Sequence, residues 1–291
     1  MRKLSVCSFV AFGLGVIGLM LRVSQILFFV DNITCLPEQK SFSYYAFAGV
    51  LIAAALGTVA LLIILKNGDF IAMGDSNYGI EKKLSSSFAI ASALVLTVYS
   101  IFWGGGFFNG SLVIKIGYAF FTLLYCAFFG FLLAVGEKFA SHRLTPVFSI
   151  APVMYYLFRL ILTFLYYTGH DRDFNFKEVI LVDIAMALFF ISFARHTSGG
   201  GYSKRSFVFG LFAVFSTAVT WLPPLFTVRS APAFGNDTLS LLFHAVCDIG
   251  AALFVITVIR AYLVDEKTNA GYLEKQKKKE KKTAKKENPG Q

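Results

Sequence analysis

LVIKIGYAFFTLLYCAFFGFLLAV, residues 112–135, is the stretch that decides the fold. It holds one charged side chain, Lys115, close to its start. A helix rises 1.5 Å per residue, so about 20 apolar residues cross a ~30 Å hydrocarbon layer. This stretch therefore reads as a transmembrane helix. Seven other segments follow the same pattern: residues 4–30, 44–65, 85–103, 147–167, 179–194, 207–226 and 239–264. The sixth in chain order, 179–194, is short and borrows Phe174 and Phe176 at one end. The expectation is an all-α polytopic integral membrane protein with eight spans. Residues 1–267 form the membrane domain, and 268–291 form a Lys-rich, disordered cytoplasmic tail. A hydrophobic content of 56% and a mean hydropathy of +0.66 argue against a soluble chain.

The charges between spans predict the orientation. The N-terminus and the second, fourth and sixth loops hold ten basic residues, among them Lys66, Lys82, Lys138, Arg143 and Arg205. The first, third, fifth and seventh loops hold four: Lys40, Arg172, Lys177 and Arg229. Basic residues concentrate on the cytoplasmic side. Lys267 and the eight Lys of the C-terminal tail add nine to the first set, so both termini are expected in the cytoplasm. A miscount of one span would spoil this alternation. The first span is too long for a signal-peptide core, and no small-x-small cleavage pattern follows it.

The net charge of +10 does not imply nucleic-acid binding. Residues 272–291 carry eight Lys and three Glu, half of the excess, and the remainder is the topological bias. Such a tail is a solvated segment attracted to anionic lipid. The expected partners are the bilayer, anionic lipid at the tail and, under one reading below, other membrane subunits. Of Cys7, Cys35, Cys126 and Cys247, only Cys35 falls in an outer loop, so no disulfide framework is implied. The sequons at Asn32, Asn109 and Asn236 also fall in outer loops, too near the spans to carry weight. Ser198-Gly199-Gly200-Gly201 lacks the order of a P-loop.

Helix contacts are partly legible. Gly49, Ala53 and Gly57 make a small-residue face on the second span, and Gly15 and Gly18 do so on the first. Pro223-Pro224 is expected to break the outer end of the seventh. A four-plus-four parallel repeat would place Arg22 and Arg159, and the acidic ends at Glu137 and Glu266, as equivalents; the alternative is that the spans resemble each other because all are rich in Leu, Phe and Ala.

The candidate site consists of polar residues inside spans. Lys115 and Arg260 lie one turn from span ends and can snorkel. Arg22, Arg159, Asp183 and Asp248 lie deeper, and a charge facing lipid costs several kcal/mol. These groups must face inward and pair. Gln25 lies one turn from Arg22, His244 one turn from Asp248, and Tyr155 one turn from Arg159, beside Pro152, Tyr156 and Thr163. Two Arg and two Asp would balance in one outward-opening cluster on the first, fifth, sixth and eighth spans. Its functional reading is a site for a small polar or anionic ligand, anchored by Arg22 and Arg159. Its other reading is a buried ion-pair network that fixes helix order. His244, Cys247 and Asp248 alone do not make a zinc centre, and no cofactor or catalytic motif is present.

The end of the first span and the loop after it, Arg22, Phe29 and Asp31-Asn32-Ile33-Thr34-Cys35-Leu36-Pro37, resembles a D-x-x-T-G-L-P first outer loop of uncharacterised bacterial multi-pass membrane proteins. Cys35 stands where that pattern has Gly. The resemblance covers about fifteen residues and implies a bacterial cytoplasmic membrane and no particular activity. Two function classes follow from the sequence: transport or sensing of a small ligand, and a non-catalytic assembly or accessory subunit. An enzyme is not expected.

Overall fold

A computed structural model describes residues 3–28, 41–65, 87–91, 93–95, 98, 112–135, 142–169, 176–198, 203–227 and 244–263. The sequons, Cys35, Gly104-Gly105-Gly106, His170-Asp171-Arg172-Asp173, the 67–84 loop and the Lys-rich tail lie outside the described residues. Every regular element among the described residues is helical. In chain order they are α1 (Lys3–Phe28), α2 (Phe42–Ile64), α3 (helical at 87–91, 93–95 and 98), α4 (Leu112–Val135), α5 (Thr145–Phe148), α6 (Ile150–Gly169), α7 (Phe176–Thr197), α8 (Ser203–Thr227) and α9 (His244–Leu263). Six are long and apolar enough to cross a membrane: α1, α2, α4, α5 with α6, α8 and α9. The chain is thus a helical membrane protein.

Local chemistry explains the element boundaries. Ser41 caps α2, its hydroxyl accepting from the Tyr44 amide at 3.3 Å. The span expected at 147–167 is not one helix. Pro146 opens α5, Ser149 forms a turn, and Pro152 falls in the first turn of α6, where its missing N–H costs no helical bond. The expected break at Pro223-Pro224 is absent, because α8 runs through both prolines to Thr227. They occupy its last turns, where each forgoes the bond its amide would give to the carbonyl four residues back, and the helix ends three residues after Pro224.

Burial separates the helices into inner and outer sets. Of the most apolar window of each helix, 67% is buried in α8 and 61% in α9, against 11% in α1 and in α2. α8 packs against α7, α1 and α2; α7 also packs on α6, and α6 on α4. α9 reaches the core through Phe254, which contacts Phe128, Phe129, Phe189, Phe190 and Phe193. Edge-to-face and offset rings fill this layer, each pair worth about 0.5–1.5 kcal/mol beyond its area. The outer helices show large apolar side chains such as Phe9, Phe12, Ile52 and Ile63, as a surface against lipid tails requires.

The close helix approaches differ from those expected. On α1, Gly18 does meet α8 and α2: a Cβ there would lie 3.1 Å from Val219 and 3.3 Å from Val50. On α2, a Cβ at Gly49 or Gly57 meets nothing within 4 Å, and Ala53 is exposed. Gly49 and Ala53 therefore point away from the described bundle, whereas Gly57 borders the cavity between α1, α2 and α8. Among the described glycines the tightest approach is between α3 and α9, where a Cβ on Gly250 would sit 2.9 Å from the Ala89 Cα. A glycine and an alanine let the two backbones meet there.

Candidate functional site

α6 places Arg159 by simple helical geometry. Pro152, Tyr155, Tyr156, Arg159, Leu162 and Thr163 are spaced three or four apart and are all buried. Met154, Leu157, Ile161, Phe164 and Leu165 line the other side and are exposed. A polar stripe on an otherwise apolar helix can only face the protein interior. The stripe meets α7 and α9, each of which presents one aspartate.

Arg159 grips both aspartates. Its Nε donates to Asp183 Oδ1 at 2.6 Å, and its Nη2 also contacts that oxygen. Its Nη1 and Nη2 donate to Asp248 Oδ1 and Oδ2 at 2.8 and 2.7 Å, a bidentate pair. Asp248 gains two further donors. Tyr156 OH reaches Oδ1 at 3.2 Å, and the Trp221 indole N–H from α8 reaches Oδ2 at 2.7 Å. Arg159 is 1% exposed and both aspartates 0%. The triad joins α6, α7 and α9, with α8 attached through Trp221.

Beside it runs a short line of hydroxyls. Tyr118 OH from α4 lies 3.1 Å from Tyr155 OH and 3.1 Å from His244 Nδ1. Tyr155 OH lies 3.9 Å from Cys247 Sγ, and Tyr125 OH donates to the Cys247 carbonyl at 3.2 Å. All of these side chains are buried.

Arg22 is elsewhere. Its Nη1 donates to Gln25 Oε1 at 2.7 Å, one turn along α1. Its Nη2 pairs with Glu178 Oε1 at 3.0 Å, in the first turn of α7, and its guanidinium lies 4.9 Å from the Phe47 ring centre. The expected single cluster of two Arg and two Asp is therefore two sites. Arg159 takes both aspartates because α6 lies against α7 and α9, whereas Arg22 on α1 meets the beginning of α7. The two arginines, matched in the expected repeat, are held by unlike partners.

This also corrects the anion reading of Arg159. Its donors are spent on carboxylates, leaving no positive charge for an anionic ligand to meet. Some buried polar atoms do lack a partner: Gln25 Nε2, Glu178 Oε2 and Asp183 Oδ2. Among the described residues no group of three or more His, Cys, Asp or Glu is arranged to hold a metal ion. A cavity of about 250 Å³ lies between α1, α2 and α8, but its lining, including Val10, Leu14, Ala54 and Phe215, is apolar and excludes the charged groups.

Sequence reasoning missed Glu178, Trp221, Tyr118 and Tyr125. Signals for some were present. Tyr118, Thr122 and Tyr125 make a polar stripe at helical spacing on α4. Trp221 is one of two tryptophans, and a buried indole N–H needs an acceptor. Glu178 stood too near the end of its span to be distinguished from a loop charge. Compared with family models, curated proteins and solved structures, the chain matches none.

Proposed function

We propose that the chain is an eight-span protein of a bacterial cytoplasmic membrane, with both termini cytoplasmic, that transports or senses a small polar solute. The solute enters from outside at the Arg22–Gln25–Glu178 site. The observation that carries this reading is two buried groups beside the Arg22–Glu178 ion pair that have no partner among the described residues: an amide donor, Gln25 Nε2, and a carboxylate acceptor, Glu178 Oε2. Buried polar groups are rarely left without partners unless a ligand or water supplies them. The Glu178 side chain keeps 11% exposure, whereas Arg159 and its aspartates have almost none. A neutral or zwitterionic solute, with one acceptor and one donor, fits this pattern better than an anion.

Cysteine accessibility in intact cells tests the reading. With Cys35 replaced by Ser, Glu178→Cys and Gln25→Cys should both react with a membrane-impermeant thiol reagent added outside. Native Cys247, fully buried, should stay silent. If Gln25→Cys is silent too, the site is a dry ion pair. The alternative reading, a non-catalytic assembly or accessory subunit, would then stand. It is favoured by one observation, the unpartnered small-residue face of α2 at Gly49 and Ala53.

A further inference from the structure

The Arg159 triad does not balance. One guanidinium meets two carboxyl groups, so three ionised side chains leave one negative charge in the bundle core. An isolated buried ion is very costly in a low-dielectric medium, and such groups normally pair or become neutral. Among the described residues, the packed elements contribute these polar groups. α4 contributes Tyr118 and Tyr125; α6 contributes Tyr155 and Tyr156; α8 contributes Trp221; α9 contributes His244 and Cys247. Among these only His244 can become a cation, and its Nδ1 is engaged with Tyr118 OH.

The two carboxyl groups are not equivalent. Asp248 receives donors on both oxygens, two on each: Nη1 and Tyr156 on Oδ1, Nη2 and Trp221 on Oδ2. Four donors hold a carboxylate in its charged form. Asp183 receives Arg159 on Oδ1 alone. Its Oδ2 is buried and, among the described residues, has no hydrogen-bond partner. A proton on that oxygen removes both the unsolvated charge and the imbalance, and leaves the Arg159 bonds to Oδ1 intact.

We propose that Asp183 is a proton-binding site in the membrane core, taking one H⁺ from the aqueous phase onto Oδ2 while Arg159 and Asp248 remain an ion pair. Intramembrane carboxyl groups that gain and lose a proton are the working parts of proton relays. The ligand of this site is thus H⁺. The inference stands apart from the Arg22 site and does not depend on it.

Infrared spectroscopy of the full chain in lipid nanodiscs tests the proposal. At neutral pH the wild type should show a protonated-carboxyl C=O band that shifts in D₂O. Asp183→Asn, which copies the neutral acid, should lose that band and keep a near-native melting temperature. Asp248→Asn should also lose the band, because Asp183 then ionises as the partner carboxylate of Arg159, and it should melt well below wild type, because its amide NH₂ must face donors on one side. Absence of the band in wild type, or its survival in Asp183→Asn, overturns the proposal. So does a positively charged His244 in the ¹⁵N NMR spectrum without a carboxyl band. A melting temperature that tracks Na⁺ concentration, again without the band, gives the site to a metal cation. Collapse of Asp183→Asn to the level of Asp248→Asn also overturns it, because a neutral side chain at 183 would then not suffice.

Discussion

Arg22 and Arg159 are the same residue type, each 1% exposed within a long apolar helix, yet their sites are built on opposite principles. Arg159 is central. It ties three helices through two aspartates and is enclosed by Tyr155, Tyr156 and the Asp248–Trp221 bond. Arg22 lies on an outer helix, is satisfied in part by its own helix through Gln25, and ends on a glutamate that keeps some exposure. The first site sets one guanidinium against two fully buried carboxyl groups. The second sets one guanidinium against one carboxylate that keeps some exposure. An intramembrane arginine therefore announces that partners exist, and its position in the packing decides whether they lock a core or form an edge.

The comparison breaks first at Arg159. Arg159→Ala leaves two buried carboxyl groups without their cation and should destabilise by about 3–5 kcal/mol. Thermal unfolding in detergent checks this, together with the yield of folded protein. Arg159→Lys should recover little, because one ammonium cannot copy a fork that reaches both Asp183 and Asp248. A mild effect of the alanine variant would mean that the triad is wet.

A smaller loss is expected at Arg22. In Arg22→Ala the Glu178 carboxylate can turn toward water, so the loss should be about 1.5–3 kcal/mol, the worth of charged hydrogen bonds. The same melting assay, run beside Arg159→Ala, ranks the two. Equal losses would erase the distinction between core and edge.

The smallest effect sharpens the surroundings of the triad. Tyr118→Phe removes one hydroxyl from the line joining Tyr155 and His244. It should cost about 1 kcal/mol by chemical denaturation and leave the fold unchanged. A loss near that of Arg159→Ala would join the hydroxyl line to the triad as one cooperative network.

Much of the architecture was legible because membrane crossing is a one-dimensional constraint. A run of apolar residues long enough to span the hydrocarbon is visible without knowing any neighbour. The same holds for the stripe around Arg159, since a helix places residues three and four apart on one side. The prolines were harder. Pro152 and Pro223-Pro224 look alike as helix breakers, but Pro152 sits in a first turn, where no helical amide bond is lost, whereas α8 runs through the other two although each forgoes its bond. The α2 small-residue face was legible as a pattern and misleading as a contact, because Gly and Ala permit a close approach without supplying the partner.

From the sequence alone came the membrane-crossing helices and the demand that Arg22, Arg159, Asp183 and Asp248 be buried with partners. That demand follows from composition, helix rise and the cost of a charge in hydrocarbon. The pairing came only from the tertiary structure. Charge neutrality allows either arginine to match either aspartate, and a count of charges cannot choose among them. The choice rests on which helices lie side by side: α6 against α7, α1 at the start of α7, and Asp248 of α9 within reach of Arg159. That arrangement gives Asp248 four donors and Asp183 Oδ2 none, because hydrogen bonds act over about 3 Å and only packing brings groups that close.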